Sequence, residues 1–119
     1  MLSLPASVRI FLCLDVTDMR RGFDGLAAMA VEIIGEDPLS GHLFVFRNRR
    51  RDRVKILYWD RDGYACWCKR LEKGHFNFPI VVTGRTRRVE IKASDLMMLL
   101  DGVDLLSVRR ERRYARRTG

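Results

Sequence analysis

GHLFVFRNRRRDRVKILYWDRDGYACWCKRLEKGHF, residues 41–76, is the stretch on which the fold turns. An apolar run from Leu43 to Phe46 ends in Arg47, Arg49, Arg50, Arg51 and Arg53. A second β-rich run, Val54 to Trp59, turns at Asp60-Arg61-Asp62-Gly63 into a third, Tyr64 to Lys69. Short runs of β-branched and aromatic residues separated by turn formers predict three strands in a meander. For the second hairpin the residues suggest a register. A three-residue loop, Arg61-Asp62-Gly63, with Gly63 in the left-handed position, pairs Asp60 with Tyr64. Tyr58 then lies opposite Cys66 and Ile56 opposite Cys68, on the core-facing side with Val54. Lys55, Leu57, Trp59, Trp67 and Lys69 occupy the other side. Tryptophan alternating with lysine there suits base stacking, a partner protein, or burial under a helix.

Upstream, Val8 to Leu14 is apolar enough for a buried strand. Thr17 or Asp18 is placed to start a helix by offering a side-chain oxygen to free backbone N–H groups. Met19, Phe23, Leu26, Ala30 and Ile33 follow at helical spacing and form one apolar face. Gly22 and Gly25 inside this helix cost roughly 1 kcal/mol each relative to alanine, tolerable where the helix lies close against a sheet. Gly35 and Pro38 close it. Downstream, an extended segment runs through Phe76, Phe78 and Pro79, and Arg85 to Ile91 reads as a basic edge strand. Ser94-Asp95 caps a short helix, Leu96 to Leu100, ended by Gly102. The expected fold class is α+β: a small antiparallel β-sheet built as a meander of hairpins, one main N-terminal helix packed on a face, and a short C-terminal helix. Residues 1–106 form a single domain, and residues 107–119 an arginine-rich flexible tail too poor in apolar residues to fold alone.

Composition sets the bounds. A chain of 119 residues, 47% of them apolar, can bury a core without disulfide or metal staples. A formal net charge of +8 favours a polyanionic partner: nucleic acid, an anionic membrane surface or an acidic protein. The apolar runs fall short of the roughly 20 residues of a membrane span, and the N-terminus reads as a strand, not a signal peptide. The excess charge lies in three clusters, residues 47–55, 85–92 and the tail VRRERRYARRTG, whereas residues 1–40 are mildly acidic. Cys13, Cys66 and Cys68 form neither a disulfide framework nor a zinc knuckle. Cys66 and Cys68, two apart on a strand, point to one face and into the core, and a reducing cytoplasm suits all three.

Arginines in a turn between strands neutralise phosphates, which assigns Arg47, Arg49, Arg50, Arg51, Arg53 and Lys55 to nucleic-acid binding. Arg109, Arg110, Arg112, Arg113, Arg116 and Arg117 then form an arm that wraps a duplex or enters a groove. The competing reading is that the loop arginines only keep a hydrophobic hairpin soluble. Asp15, Asp18, Asp24, Asp60 and Asp62 raise the question of a two-carboxylate metal site, but Asp18 reads as a cap and Asp60 and Asp62 as turn formers. His42 and His75 border strands with no nucleophile at motif spacing. Gly22-x-x-Gly25 lies within a helix pattern, unlike a phosphate-binding loop. The residues offer no catalytic constellation, no metal site and no cofactor.

Three segments, TDMRRGFDGLA (17–27), DPLSGHLFVFRNRRRDRVKILYWDRDGY (37–64) and KRLEKGHFNFP (69–79), carry a resemblance. Together with the opening LPASVRIFL and residues 94–102, they make nearly the whole chain similar to the small second-reading-frame accessory proteins of insertion-sequence-sixty-six transposons. Those proteins, often called TnpB, are distinct from the RNA-guided nuclease of the same name. Matching positions are Arg20, Arg21, Gly22, Phe23, Asp24 and Gly25, then Arg47, Asn48, Arg53, Trp59, Asp60, Gly63, Lys69 and Arg70. Cys66 and Cys68 depart from the apolar or aromatic residues expected at their positions. The resemblance implies a non-catalytic part in transposition beside a separate transposase that carries the acidic catalytic residues. It adds Lys69 and Arg70 to the cationic set and makes DNA at transposon ends, the transposase and other element-encoded proteins the expected partners. The alternative is an adaptor that docks on the transposase through Trp59 and Trp67 without touching DNA. A nuclease is the third, less favoured reading.

Overall fold

The computed structural model describes residues 4–79 and 86–102. Five strands and two helices follow in the order β1 (Ile10–Val16), α1 (Phe23–Met29, continued by a π-turn over Ala30–Ile34), β2 (Leu43–Arg47), β3 (Arg53–Asp60), β4 (Gly63–Arg70), β5 (Arg88–Ile91) and α2 (Ala93–Leu100). The strands form one sheet in the order β4-β3-β2-β1-β5. The α+β class holds, with α1 on one face and a short C-terminal helix. No helix among the described residues is long and apolar enough to cross a membrane. The tail 107–119 and the segment 80–85 lie outside the described residues.

The sheet is mostly antiparallel, but its central pair is not. β1 runs parallel to β2, with Ile10 beside Leu43, Phe11 beside Phe44 and Leu12 beside Val45. A parallel neighbour needs a crossover, and the helix between the two strands supplies it. Both strands are covered on both faces, which is why they read as continuous apolar runs. Phe11, Cys13, Phe44, Phe46 and Leu57 face Leu26, Met29, Ala30 and Ile34 of the first helix. Ile10, Leu12, Leu43, Val45, Val54, Ile56 and Ile91 face Leu96, Leu99 and Leu100 of α2, with Phe76 and Phe78. The molecule therefore has three layers, with helices on opposite faces of the sheet.

The first helix begins later than its apolar spacing suggests. Asp18 is not a cap: its Oδ1 accepts the Arg20 N–H at 2.9 Å, and its carbonyl accepts the Arg21 N–H at 3.0 Å. This side-chain-stabilised turn delays helix entry to Gly22, at the N-cap, and Phe23. Gly25 is tight against the Arg21 side chain, whose Cβ would lie 3.2 Å from an added Cβ, so the close approach there is to Arg21 and not to the sheet. The π-turn, in which the Gly35 and Glu36 N–H groups both reach the Ala30 carbonyl, shifts the helical phase. Met29 and Ile34 are thereby buried, while Phe23 stays 48% exposed. Gly35, with φ 77°, ends the helix as its position implies. α2 begins at Ala93, ahead of the Ser94-Asp95 start, because Asp95 reaches back from the first turn to accept the Lys92 N–H at 3.3 Å. Gly102, with φ 84°, follows its end.

The second hairpin closes one residue tighter than the glycine signal suggests. Its loop is Arg61-Asp62, with Arg61 at φ 57°, and Asp60 pairs with Gly63. Trp59 then lies opposite Tyr64, Leu57 opposite Cys66 and Ile56 opposite Trp67. A one-residue slip moves every side chain of a strand to the other face. Trp67 thus packs with Ile56 against the α2-side core, while Cys66 and Tyr64 join Leu57 on the α1 side. The expected shared face of Trp59 and Trp67 does not form. Burial of Trp67 outweighs the turn preference of Gly63.

Truncating a side chain on the parallel pair separates core from surface. Phe44→Ala should cost about 3–5 kcal/mol in urea unfolding, whereas Phe23→Ala should cost about 1 kcal/mol or less.

Candidate nucleic-acid interface

Because β1 and β2 are parallel, their C-terminal ends lie at one end of the sheet, and the segments that leave them meet. The turn 17–22 follows β1 and the loop 48–52 follows β2, while β3 starts and β4 finishes at the same end. Two adjoining clefts form there. The larger, about 740 Å³, lies between residues 16–20 and Asn48, Arg49, Arg50, Asp52 and Arg53. The smaller, about 480 Å³, is lined by Met19, Arg53, Val54, Lys55, Cys68, Lys69, Arg70 and Glu72. Met19 and Arg53 belong to both.

The loop that presents the arginines is held from within and from behind. The Asn48 amide donates to Asp52 at 2.6 Å, and its oxygen accepts the Arg53 N–H at 3.1 Å. The Arg51 N–H closes on the Asn48 carbonyl at 3.1 Å, with Arg51 itself at φ 59°. The chain after β4 then fastens the loop: Leu71 N–H to the Asp52 carbonyl at 2.7 Å and Phe76 N–H to the Arg51 carbonyl at 2.6 Å. The hydrogen bond from Asn48, ahead of nearby guanidinium charge, holds the Asp52 carboxyl below its ordinary range. Arg49, Arg50 and Arg53 are exposed and make no ion pair with any described residue.

The predicted cations divide into three groups. Arg49, Arg50, Arg53, Lys55, Lys69 and Arg70 line the clefts. Lys55 donates one proton to the Arg21 carbonyl at 3.0 Å and Lys69 one to the Leu100 carbonyl at 3.2 Å, which positions both ammonium groups. Arg70 pairs with Glu72 at 3.2 Å. Arg47 and Arg51 line neither cleft. The Arg47 guanidinium donates to the Leu14 carbonyl at 2.6 Å and lies over the Phe78 ring, tying β1 to the end of β2. Burial, then the charge of Arg51, makes its proton easier to lose than in a free arginine, and its Nε has no partner among the described residues. Arg109, Arg110, Arg112, Arg113, Arg116 and Arg117, like Arg85, lie outside the described residues. Arg20 is the cleft cation that the sequence reading left out of the binding set. A strand, a helix and a strand in succession signal a parallel crossover, and that signal would have placed it.

In the second basic cluster the described arginines are paired with carboxylates. Arg87 pairs with Asp15, Arg88 with Glu36 at 3.0 Å, and Arg9 with Glu90 at 2.7 Å. The acidic residues of the first forty positions thus serve β5 more than the loop. Asp60 and Asp62 stand at the opposite hairpin end from Asp18. Among the described residues, no group of three or more His, Cys, Asp or Glu is placed to hold a metal ion. His42 accepts the Arg9 N–H at 3.0 Å, and His75 is exposed.

The aromatics sit elsewhere. Trp59 meets Tyr64 edge-on at 5.2 Å, and Tyr64 stacks on Phe23 at 6.4 Å, toward the far end of the hairpin. At about 3.3 Å per residue, the run of β3 separates them from Arg53 by roughly 20 Å. Cys66 and Cys68 do share a face, with sulfurs 3.7 Å apart, but Cys68 is exposed in the smaller cleft and not in the core. Burial, then the neighbouring Cys68 thiol, pushes the Cys66 thiol up to about 11.

Asp18 offers a local check on the turn. Hydrogen bonds from the Arg20 side chain and backbone lower its carboxyl to about 2. A depressed carboxyl stabilises the fold above its ordinary titration range and loses that effect as pH falls toward the lowered value. An NMR titration should find Asp18 protonating near 2, and Arg20→Ala should return it toward 3.8.

A family model described as IS66 Orf2 like protein matches residues 8–110. Two relatives from Sinorhizobium fredii (strain NBRC 101917 / NGR234) are similar along most of their length. The uncharacterized protein y4jC is 34% identical over 111 residues, 93% of this chain and 92% of its own. The uncharacterized protein y4hO is 36% identical over 104 residues, 87% and 88%. No solved structure matches. With the match running through every strand, both helices and both clefts, the chain belongs to the IS66 Orf2-like family of transposition-associated accessory proteins.

Proposed function

We propose that this protein is a non-catalytic accessory factor that binds DNA at insertion-sequence ends in the cytoplasm and so assists the transposase. The observation that carries this reading is the convergence at one sheet end of Arg20, Arg49, Arg50, Arg53, Lys55, Lys69 and Arg70 against three carboxylates, Asp18, Asp52 and Glu72. Each contacted phosphate releases counterions, so a loop bearing three arginines without an ion-pair partner among the described residues is suited to the backbone of a duplex. Among the described residues no aromatic side chain lines either cleft, which favours phosphate contact over base stacking. The tail arginines, Arg109 to Arg117, extend the contact along the backbone in this reading. Arg47 supports the loop from behind instead of meeting phosphate.

A second reading has one observation in its favour. The Phe23, Tyr64 and Trp59 cluster is partly exposed and rich in residue types that anchor protein interfaces, which suits docking on the transposase. Trp67, turned to the other face, would not take part. The two readings use opposite ends of the hairpin and are compatible.

Fluorescence anisotropy against a transposon-end duplex and a scrambled duplex, across salt, tests the first reading. Arg49→Ala/Arg50→Ala/Arg53→Ala should weaken binding and reduce the slope of log affinity against log salt by up to about 3. Arg87→Ala should leave affinity within about twofold, since its charge is already matched by Asp15. Absence of binding to either duplex, or equal losses from both variants, would overturn it.

A further inference from the structure

The outermost strand β4 is an unusual edge. It pairs with β3 across all eight of its residues in unbroken register, without a proline or a bulge. No described backbone group outside β3 bonds to it, so one side of the strand presents N–H and C=O groups without a backbone partner among the described residues. Long, regular edges of this kind are templates for another strand unless shortened, bent or blocked. The opposite edge, β5, has only four residues, and its Arg88 and Glu90 are engaged with Glu36 and Arg9.

The charges along β4 select the occupant. Asp60 and Asp62 stand at its turn end, with Arg61 between them, and Lys69 and Arg70 at the other. A parallel copy would set Lys69 and Arg70 beside the same residues of its neighbour. An antiparallel copy sets cations beside carboxylates. We infer that the β4 edge is a self-complementary interface through which two copies of this chain join into one continuous sheet, by antiparallel β4-to-β4 pairing.

Chemistry also selects the register. A two-fold axis normal to the sheet keeps like faces together, so residues pair with others of their own face. Centring the axis on Cys66 places Asp62 opposite the second copy's Arg70 and Gly63 opposite its Lys69. Small Ala65 then faces the second copy's half-buried Trp67, a cross-strand pair that lets the indole cover space a larger residue would fill. Centring on Trp67 instead would set Asp62 against the second copy's Glu72, like against like. The Arg70 to Glu72 pair within one copy is exposed, at 58% and 82%, and so exchanges readily for the intermolecular partner.

Sedimentation velocity of the full chain without nucleic acid, at high micromolar concentration, reads the outcome. The interface predicts a species of twice the 13.9 kDa chain mass. Asp62→Lys and Arg70→Asp should each raise the dimer dissociation constant by on the order of tenfold, because each turns two attractions into repulsions. The double variant Asp62→Lys/Arg70→Asp should restore it. Both positions are exposed, and circular dichroism establishes that each variant is folded. A monomeric wild-type chain, a dimer indifferent to the single substitutions, or a double variant that stays dissociated would each overturn the inference. This result is independent of DNA binding, which the sedimentation experiment leaves out.

Discussion

The parallel pairing of β1 with β2 is the constraint from which the rest of the molecule follows. Phe11, Leu12, Phe44 and Val45 are fully buried along that seam, with side chains filling both faces of the sheet. Hydrophobic burial on both sides of two adjacent strands requires a layer above and a layer below, and the two helices with the Phe76 and Phe78 segment provide them. The same pairing brings the exits of β1 and β2 to one end. The Arg20 turn and the Arg49-Arg50 loop meet there because the core demands it, and the candidate surface is a consequence of how the core packs.

Arg47 joins these two levels. It ends an apolar strand and stands among arginines, yet its guanidinium is directed inward at the Leu14 carbonyl while its own carbonyl accepts the Thr17 N–H at 2.9 Å. A half-buried cation with a hydrogen-bonded carbonyl partner and an aromatic face beneath it is a brace, and the cost of its burial is offset by those contacts. The exposed arginines beyond it are then held on a rigid mount. Charge is distributed unevenly: acidic residues of the N-terminal third pair with Arg87 and Arg88, while Arg49, Arg50 and Arg53 make no ion pair with any described residue.

Much of this was legible in the residues. Apolar runs with turn formers between them located the strands, Gly35 and Gly102 marked both helix ends, and the arginine loop fell between β2 and β3 as its composition implied. Four features were not legible, each for a physical reason. Hairpin register depended on whether Gly63 or the burial of Trp67 prevailed, and local preference gives no scale for the second. The helix start was hidden because Asp18 can cap a helix or bind its own downstream N–H, and Arg20 decides between them. The parallel seam is a non-local choice signalled only by the succession of a strand, a helix and a strand, and without it the approach of Arg20 to the loop cannot be seen. For Arg47 the residue type is silent: only the geometry tells a brace from a phosphate ligand.

Amide NMR during titration with a transposon-end duplex tests the central claim most directly, since it asks which end of the sheet meets DNA. The account predicts that the 17–22 turn, the 48–53 loop and Lys69-Arg70 shift together, while the Asp60 to Tyr64 hairpin tip stays unchanged. Shifts confined to the hairpin tip and Phe23, or a basic end that remains silent while duplex binds, would contradict it.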